Sequence, residues 1–411
     1  MGSPLQDAQI FDPTDPEFLK NPYPVLNHLR ENTPVVRAES LGLWLVTRHE
    51  DVFACQRDAR LTRNFSHKYT PEEMGVAPRD ARWADFWQAE KWSLLDIEQP
   101  DHTRIRSLVS SAFTPRRVTQ MRDAVRARSR KLLADLIEQG EFDLLHDYAM
   151  PYSVSIVCEL LGADQEQAPL FLDWAHAMVK MYELDTSEEQ AKQANDSAAA
   201  FIAYVRELIA LRRRQPSDDL VSALVEAETE EGRKLTDDEI VSTVIVLLNA
   251  GHEATVNTTG NGMAALLRHP DQWARVTSQE VAPRQAVEEV IRWDPPLQLF
   301  ERWVLADDVE IGGQEIPFGS KIAMLYGAAN RDPRLFTDPE VLDVGRVNAS
   351  RHVNFGGGVH ACLGAPLARI ELEETFTSIR DLCPDLRLVE EPRRNSAFVI
   401  WGMESVRVSA R

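Results

Sequence analysis

Cys362 lies in the stretch FGGGVHACLG, Phe355 to Gly364, two residues after His360 and among four glycines. A thiolate is a soft metal ligand and a nucleophile, and either role needs a cysteine presented at a site. A core cysteine is a small hydrophobe and needs no such setting. Gly356, Gly357, Gly358 and Gly364 predict a backbone that bends sharply and comes close to something flat or bulky. Three other patterns could carry chemistry. In LLNAGHEATVNTTGNGM, the residues Asn249, Gly251, His252 and Glu253 interrupt what should be a buried apolar helix face. Glycine there costs about 1 kcal/mol relative to alanine, and unbonded polar groups cost more. A local kink aiming the polar groups at a cavity accounts for both; a glycine packed on a neighbouring helix, with Glu253 paired to a base, is the alternative. AVEEVIRWDPP sets Glu289 and Arg292 at i, i+3, and DHTRIR sets His102 and Arg106 at i, i+4, each pair on one helix face. Alone, each of these pairs is a weak signal.

The elements that must position these residues are mostly helical. Apolar spacing predicts helices near 151–162, 166–182, 187–213 and 236–268, and one from Pro115 that Gly140 stops. An early helix spans NPYPVLNHLREN. PVVRAES and LWLVTR then read as a hairpin around a glycine-containing turn. Strand-like pieces return in WVLADDVEIGGQEIPFGSKIAML and SAFVIWGMESVRVS. No repeat, low-complexity tract or Gly/Ser linker marks a domain boundary.

At 411 residues, with 44% apolar and 27% charged residues, the chain has ample length for a large core. Four cysteines without a C-x-x-C suggest neither a disulfide framework nor a zinc site. A net charge of −20 argues against nucleic-acid binding. The polar, proline-punctuated start carries no signal pattern, and the run Ile240 to Leu248 is far too short to span a bilayer, so no membrane association and a cytoplasmic location are expected. Against the acidic background, His102 to Lys131 holds eight arginines and one lysine with Asp123 as its sole acid. Its readings are a solvated helix face, or a docking patch for an acidic partner combined with neutralisation of an anionic ligand.

Taken together and in order, these patterns are specific. The chain resembles the cytochrome P450 family of haem-thiolate monooxygenases over essentially its full length. Phe355, Gly358, His360, Cys362 and Gly364 complete that family's F-x-x-G-x-[HR]-x-C-x-G loop; Glu289 to Arg292 match E-x-x-R, Ala329 to Pro333 read ANRDP, and Ala250 to Glu253 match A-G-x-E. The resemblance implies a mainly α fold with small β-sheets, with haem b between the long central helix and the cysteine loop. It implies one P450 domain over 1–411, with a β-containing part near 1–60, a helical core near 100–300 and the haem loop at 355–364.

Cys362 is then the proximal iron ligand, its sulfur tuned by backbone N–H groups of the loop that Phe355, Gly356 and Gly364 shape. The core and nucleophile readings lose ground, since no histidine–acid set accompanies the cysteine. The propionates are expected on His102, Arg106, Arg302 and His360. Glu289 and Arg292 correspond to a structural pair that Arg346 joins. Ala250, Gly251, Leu247 and Leu248 would wall the space over the haem.

One departure stands out. The family's usual A-G-x-[DE]-T supplies protons through an acid followed at once by threonine, whereas here Glu253 is followed by Ala254 and only then Thr255. One residue rotates a side chain about 100° around the helix. Thr255 after a helix distortion, a path through Asn257 or Thr258, and a water or substrate hydroxyl all compete, and the last is preferred; Glu253 is the expected proton-delivering acid. For the substrate pocket the resemblance points to Trp83 and Phe86 in an aromatic connection, Met178 near a lid, Leu297, Leu299 and Phe300, and Phe398 and Val399. A hydrophobic or aromatic small molecule is expected. Arg82 or His176 could read a substrate anion, although surface exposure is the expected reading of each.

Electrons are expected from NAD(P)H through an external ferredoxin and its reductase. The arginine-rich segment with Arg346, Arg351 and Arg369 would form a positive docking face, and the protein is expected to be a monomer. A peroxide-driven peroxygenase and a non-enzymatic haem sensor are the rivals; Glu253 and the aromatic pocket favour the monooxygenase.

Overall fold

The computed structural model describes residues 10–411. Its main sheet joins distant parts of the chain. Strands β1 (Val35–Ala38) and β2 (Leu43–Val46) form the expected hairpin, turned by Gly42 at φ +65°. β3 (Leu61–Thr62) follows, and β4 (Leu299–Val304) and β5 (Lys321–Leu325) come from the far end of the sequence. The order is β1-β2-β5-β4-β3, with β2 parallel to β5 and every other pair antiparallel. The early β segment is therefore completed by residues some 280 positions later (Leu45 opposite Ala323). Phe398–Ile400, expected as part of a strand, is irregular apart from one bridge between Ile400 and Leu297.

The helices that matter for the site are α1 (Asp101–Ala112), α2 (Arg122–Gln139), α3 (Met150–Leu161), α4 (Ala168–Val179), α5 (Glu188–Arg214), α6 (Asp237–Arg268), α7 (Pro283–Trp293) and α8 (Ala365–Leu382). The helix expected from Pro115 is two pieces, Pro115–Gln120 and α2, joined at Met121. Gly140 ends α2 at φ +89°. A capping box starts α6: Thr236 Oγ1 accepts from Glu239 N, and the Glu239 carboxylate accepts from Thr236 N. From there α6 runs continuously through Gly251, and α3, α4, α5, α7 and α8 pack around it. Thr255, Thr258 and Thr259 bond back to the carbonyls four residues earlier, so their hydroxyls are satisfied within the helix.

The arginine-rich segment is neutralised mostly from within. Arg117 pairs with Asp218, Arg122 and Arg126 with Glu374, Arg128 with Glu159, Arg130 with Asp381, and Arg104 with Glu239. These pairs fasten α2 to α3 and α8 and α1 to α6. Six of the segment's eight arginines thus carry an intramolecular ion pair, so less unpaired positive charge is left there than the sequence suggests.

Glu289 and Arg292 on α7 are completely buried. Arg292 donates from Nε and Nη2 to the two Glu289 oxygens at 2.7 and 2.8 Å, and Arg346 Nε reaches the same carboxylate at 3.1 Å. Arg292 Nη1 also donates to the carbonyls of Asn330 and Pro339. Asn330, in ANRDP, accepts from Val353 N through its side chain at 2.9 Å. The E-x-x-R pair thus holds the approach to the cysteine loop through two hydrogen-bonded steps.

Candidate active site

The cysteine loop turns at Gly356 (φ +66°) and Gly358 (φ +62°), conformations that glycine adopts without strain. Cys362 N donates to Phe355 O at 2.8 Å and closes the loop. A Cβ on Gly358 would meet Gln56 O at 2.8 Å, and one on Gly357 would meet the Arg57 guanidinium. The close approach expected of these glycines is therefore, for 357 and 358, to residues 56–57. Gly364 differs, since its Cβ position lies 4.0 Å from the Cys362 sulfur. Phe355 lies under the Arg369 guanidinium, 4.2 Å from its ring centre.

Cys362 is exposed, whereas Cys55, Cys158 and Cys383 are buried. Its surroundings are nonetheless protein. Burial pushes its thiol up, while the amides of Gly364 and Ala365 at the start of α8, with Arg106 and Arg369, favour the thiolate. A second accessible surface lies on α6. In the middle of this mostly buried helix, Ala250 and Ala254 are exposed and Leu247 and Gly251 are half-buried, a stripe at i, i+3, i+4, i+7 beside half-buried Glu253.

Beside the cysteine loop lies a group of basic side chains. Arg106 Nη2 donates to Ala361 O at 2.5 Å. The His102 and His360 rings stand 4.4 Å apart, centre to centre. Neither ring nitrogen of His102 has a hydrogen-bond partner, nor has Nδ1 of His360. Burial, then the neighbouring His360 and Arg106, hold the His102 imidazole down to about 4. Arg302 on β4 is buried with no carboxylate within salt-bridge distance among the described residues, and burial brings its guanidinium down to about 10. One acid enters the group: Glu98 accepts from Arg63 N at 2.5 Å and lies 3.3 Å from His360 Nε2. Neither Glu98 nor Arg63 stands out in the sequence. The signal for them is only their nearness to His102 and to β3.

An accessible sulfur with amide donors, beside guanidinium groups and orphaned imidazoles, fits a planar, dianionic, metal-bearing group. Known proteins agree. A family model described as Cytochrome P450 matches residues 78–282 and 283–379. The chain belongs to the cytochrome P450 family. It is similar to the polyketide biosynthesis cytochrome P450 PksS of Bacillus subtilis, 36% identical with 97% of this chain and 98% of that protein covered. It is also similar to the 6-deoxyerythronolide B hydroxylase of Saccharopolyspora erythraea, 36% identical over 89% of each chain. The structure of P450BioI in complex with hexadec-9Z-enoic acid ligated acyl carrier protein superposes with a TM-score of 0.88 at 32% identity, covering 96% of this chain and 99% of the other. Haem is the family's cofactor, and this P450 is an oxidoreductase of the monooxygenase type. Among the described residues, no helix is long and apolar enough to cross a membrane.

On the distal side, Glu253 Oε1 accepts from Asn257 Nδ2 at 3.3 Å. Its other oxygen points at His252 and His176, at 3.4 and 3.5 Å. Thr255 is buried, and its hydroxyl turns to Gly251 O at 3.4 Å. Thr258 is likewise turned, to Ala254 O at 2.7 Å. Both hydroxyls are thus bonded to carbonyls of the stripe's own residues, Gly251 and Ala254.

Several expected pocket residues are core residues. Phe86, Met178 and Leu248 are buried in the main core. Leu299, Phe398 and Val399 are buried in a second core, where Phe398 packs on Phe11 and Phe18. Phe11 and Phe18 of the N-terminal segment belong to that second core. Trp83, Leu247, Leu297 and Phe300 keep accessible surface. Phe300 spends its faces on Arg63 and Arg302, whose guanidinium carbons lie 4.1 and 4.8 Å from its ring centre.

Proposed function

We propose that this P450 carries haem b on Cys362 and hydroxylates a large aliphatic, hydroxyl-bearing substrate of the polyketide kind. Bound haem supplies the redox chemistry that divides molecular oxygen between substrate and water. The chain's own residues do the rest. Cys362 would hold the iron, with the Gly364 and Ala365 amides favouring its thiolate, and Arg106, Arg302, His102 and His360 would take the propionates. Ala250, Gly251 and Ala254 shape a smooth apolar ceiling that keeps unordered water out.

Glu253 delivers protons, held by Asn257 at the edge of that ceiling. The observation that carries the substrate reading is Ala254: the exposed position next to Glu253 has no hydroxyl, and Thr255 and Thr258 are turned into their own helix. A water held by a substrate hydroxyl then completes the path. The names of the polyketide and 6-deoxyerythronolide B relatives agree with a substrate that bears such groups.

Electrons come from NAD(P)H through an external ferredoxin and its reductase. Arg346 is buried and paired with Glu289, which removes it from the expected docking face, whereas Arg369 pairs with Glu288 and keeps accessible surface. A cleft of about 480 Å³ under the loop, lined in part by Phe53, Arg57, Arg351, Phe355, Gly356 and Arg369, is the proposed docking site. Arg57 and Arg351 are exposed and form no ion pair among the described residues.

The test is a Soret titration of the ferric protein with macrolides, fatty acids, terpenes and aromatic acids. Macrolides or related polyketides are expected to drive the low- to high-spin shift as they displace distal water. A shift with aromatic acids alone, or with no class, would overturn the substrate assignment.

A further inference from the structure

Three metal-ligating side chains converge beside the distal stripe: His176 on α4, and His252 and Glu253 on α6. Their candidate ligand atoms all lie within 4.8 Å of one another. Glu253 Oε2 is 3.5 Å from His176 Nε2 and 3.4 Å from His252 Nε2. An ion with bonds of about 2.0–2.1 Å in tetrahedral geometry sets its ligands about 3.3–3.4 Å apart. Two of the three edges already have that length.

The hydrogen bonding points the same way. His252 is completely buried, and its Nδ1 lies 2.8 Å from Leu248 O. A carbonyl only accepts, so the N–H is on Nδ1 and the neutral ring's lone pair is on Nε2. That is how a ligating histidine is usually fixed, through its other nitrogen. Nε2 has no hydrogen-bond partner, and neither has Glu253 Oε2, which it faces. Two buried acceptors aimed at each other repel unless a cation lies between them. Asn257 holds the other carboxylate oxygen and so orients the third ligand.

We propose that His176, His252 and Glu253 form a binding site for a divalent d-block cation, zinc by preference, bridging α4 and α6. Two imidazoles and one carboxylate suit zinc and disfavour magnesium and calcium, which take oxygen ligands. The bound ion fastens α4 to α6. It also holds the Glu253 carboxylate away from proton delivery, a regulatory consequence that rests on the role proposed for Glu253 above. Zinc binding itself does not depend on that role.

The haem-loaded protein is dialysed against buffered zinc, and zinc is measured against iron by elemental analysis. One zinc per iron is expected, retained in excess magnesium. His176→Ala and Glu253→Gln are each expected to weaken binding at least ~10-fold, the scale on which even supporting residues of metal sites act. The reduced carbon monoxide spectrum checks that each variant is folded. Should His176→Ala fail that check, His176→Gln is judged by the same criterion. Substoichiometric zinc in the unmodified protein, or unchanged affinity in the folded variants, overturns the site. In turnover, zinc should inhibit the unmodified protein and spare His176→Ala; equal inhibition of both would overturn the regulatory consequence while leaving the binding result to stand on its own.

Discussion

In Cys362→Ser, turnover is expected to fall at least ~10³-fold, equivalent to about 4 kcal/mol of barrier. The reduced carbon monoxide band should move away from its thiolate position in the same variant. Serine keeps the size and the loop hydrogen bond from the 362 amide but removes the soft sulfur that the Gly364 and Ala365 amides favour. The effect should be confined to the site, because Cys362 contributes to no core cluster. The other cysteines are the controls. Burial pushes the thiols of Cys55, Cys158 and Cys383 up to about 12, as expected of inert core residues. Serine at Cys158 should lower the melting temperature and leave the spectrum alone. A thiolate-type spectrum surviving in Cys362→Ser would place the ligand elsewhere.

Glu289→Ala is expected to cost about 3–5 kcal/mol of stability, the scale for breaking a buried ion pair. Removing the carboxylate strands two cations at once, since Arg292 and Arg346 are both buried and both bonded to it. Total stabilities of about 5–15 kcal/mol make this a large fraction of what holds the fold. An exposed pair such as Lys192–Asp196 is the comparison, expected to contribute little because water screens it. Denaturant unfolding of Glu289→Ala beside Asp196→Ala separates the two cases. Equal, small losses would mean that the α7 pair does not carry the connection to the cysteine loop. Haem retention should weaken in Glu289→Ala as well, because Arg292 reaches Asn330, and Asn330 reaches Val353, just before that loop.

How much of this was legible in the sequence depended on the range of the contacts. The cysteine loop and α6 were readable because their patterns are local: clustered glycines around one cysteine, and the periodicity of one helix. The displacement of threonine from 254 to 255 is a local feature of the same kind, and in the fold the Thr255 hydroxyl bonds to Gly251 O. Leu299 and Phe398 have the right type and place for a pocket, but they share a core with Phe11 and Phe18, and nothing in β4 announces that. The arginines of α2 looked unpaired because their partners Glu159, Glu374 and Asp381 lie tens to hundreds of residues away. Glu98 was missed as a site residue, and His176 was expected on the surface, for the same reason. Each acquires its neighbours only when α1 meets the cysteine loop, or α4 meets α6.

The central claim is that protons reach the haem site from Glu253 through a water or substrate hydroxyl, with no threonine taking part. Its most direct measurement is product formed per NADH consumed in Thr255→Ala, with a substrate that gives the high-spin shift. The account predicts coupling equal to that of the unmodified protein, while Glu253→Gln, measured alongside, loses it to hydrogen peroxide. Coupling that collapses in Thr255→Ala would contradict the account and put the threonine hydroxyl in the proton path.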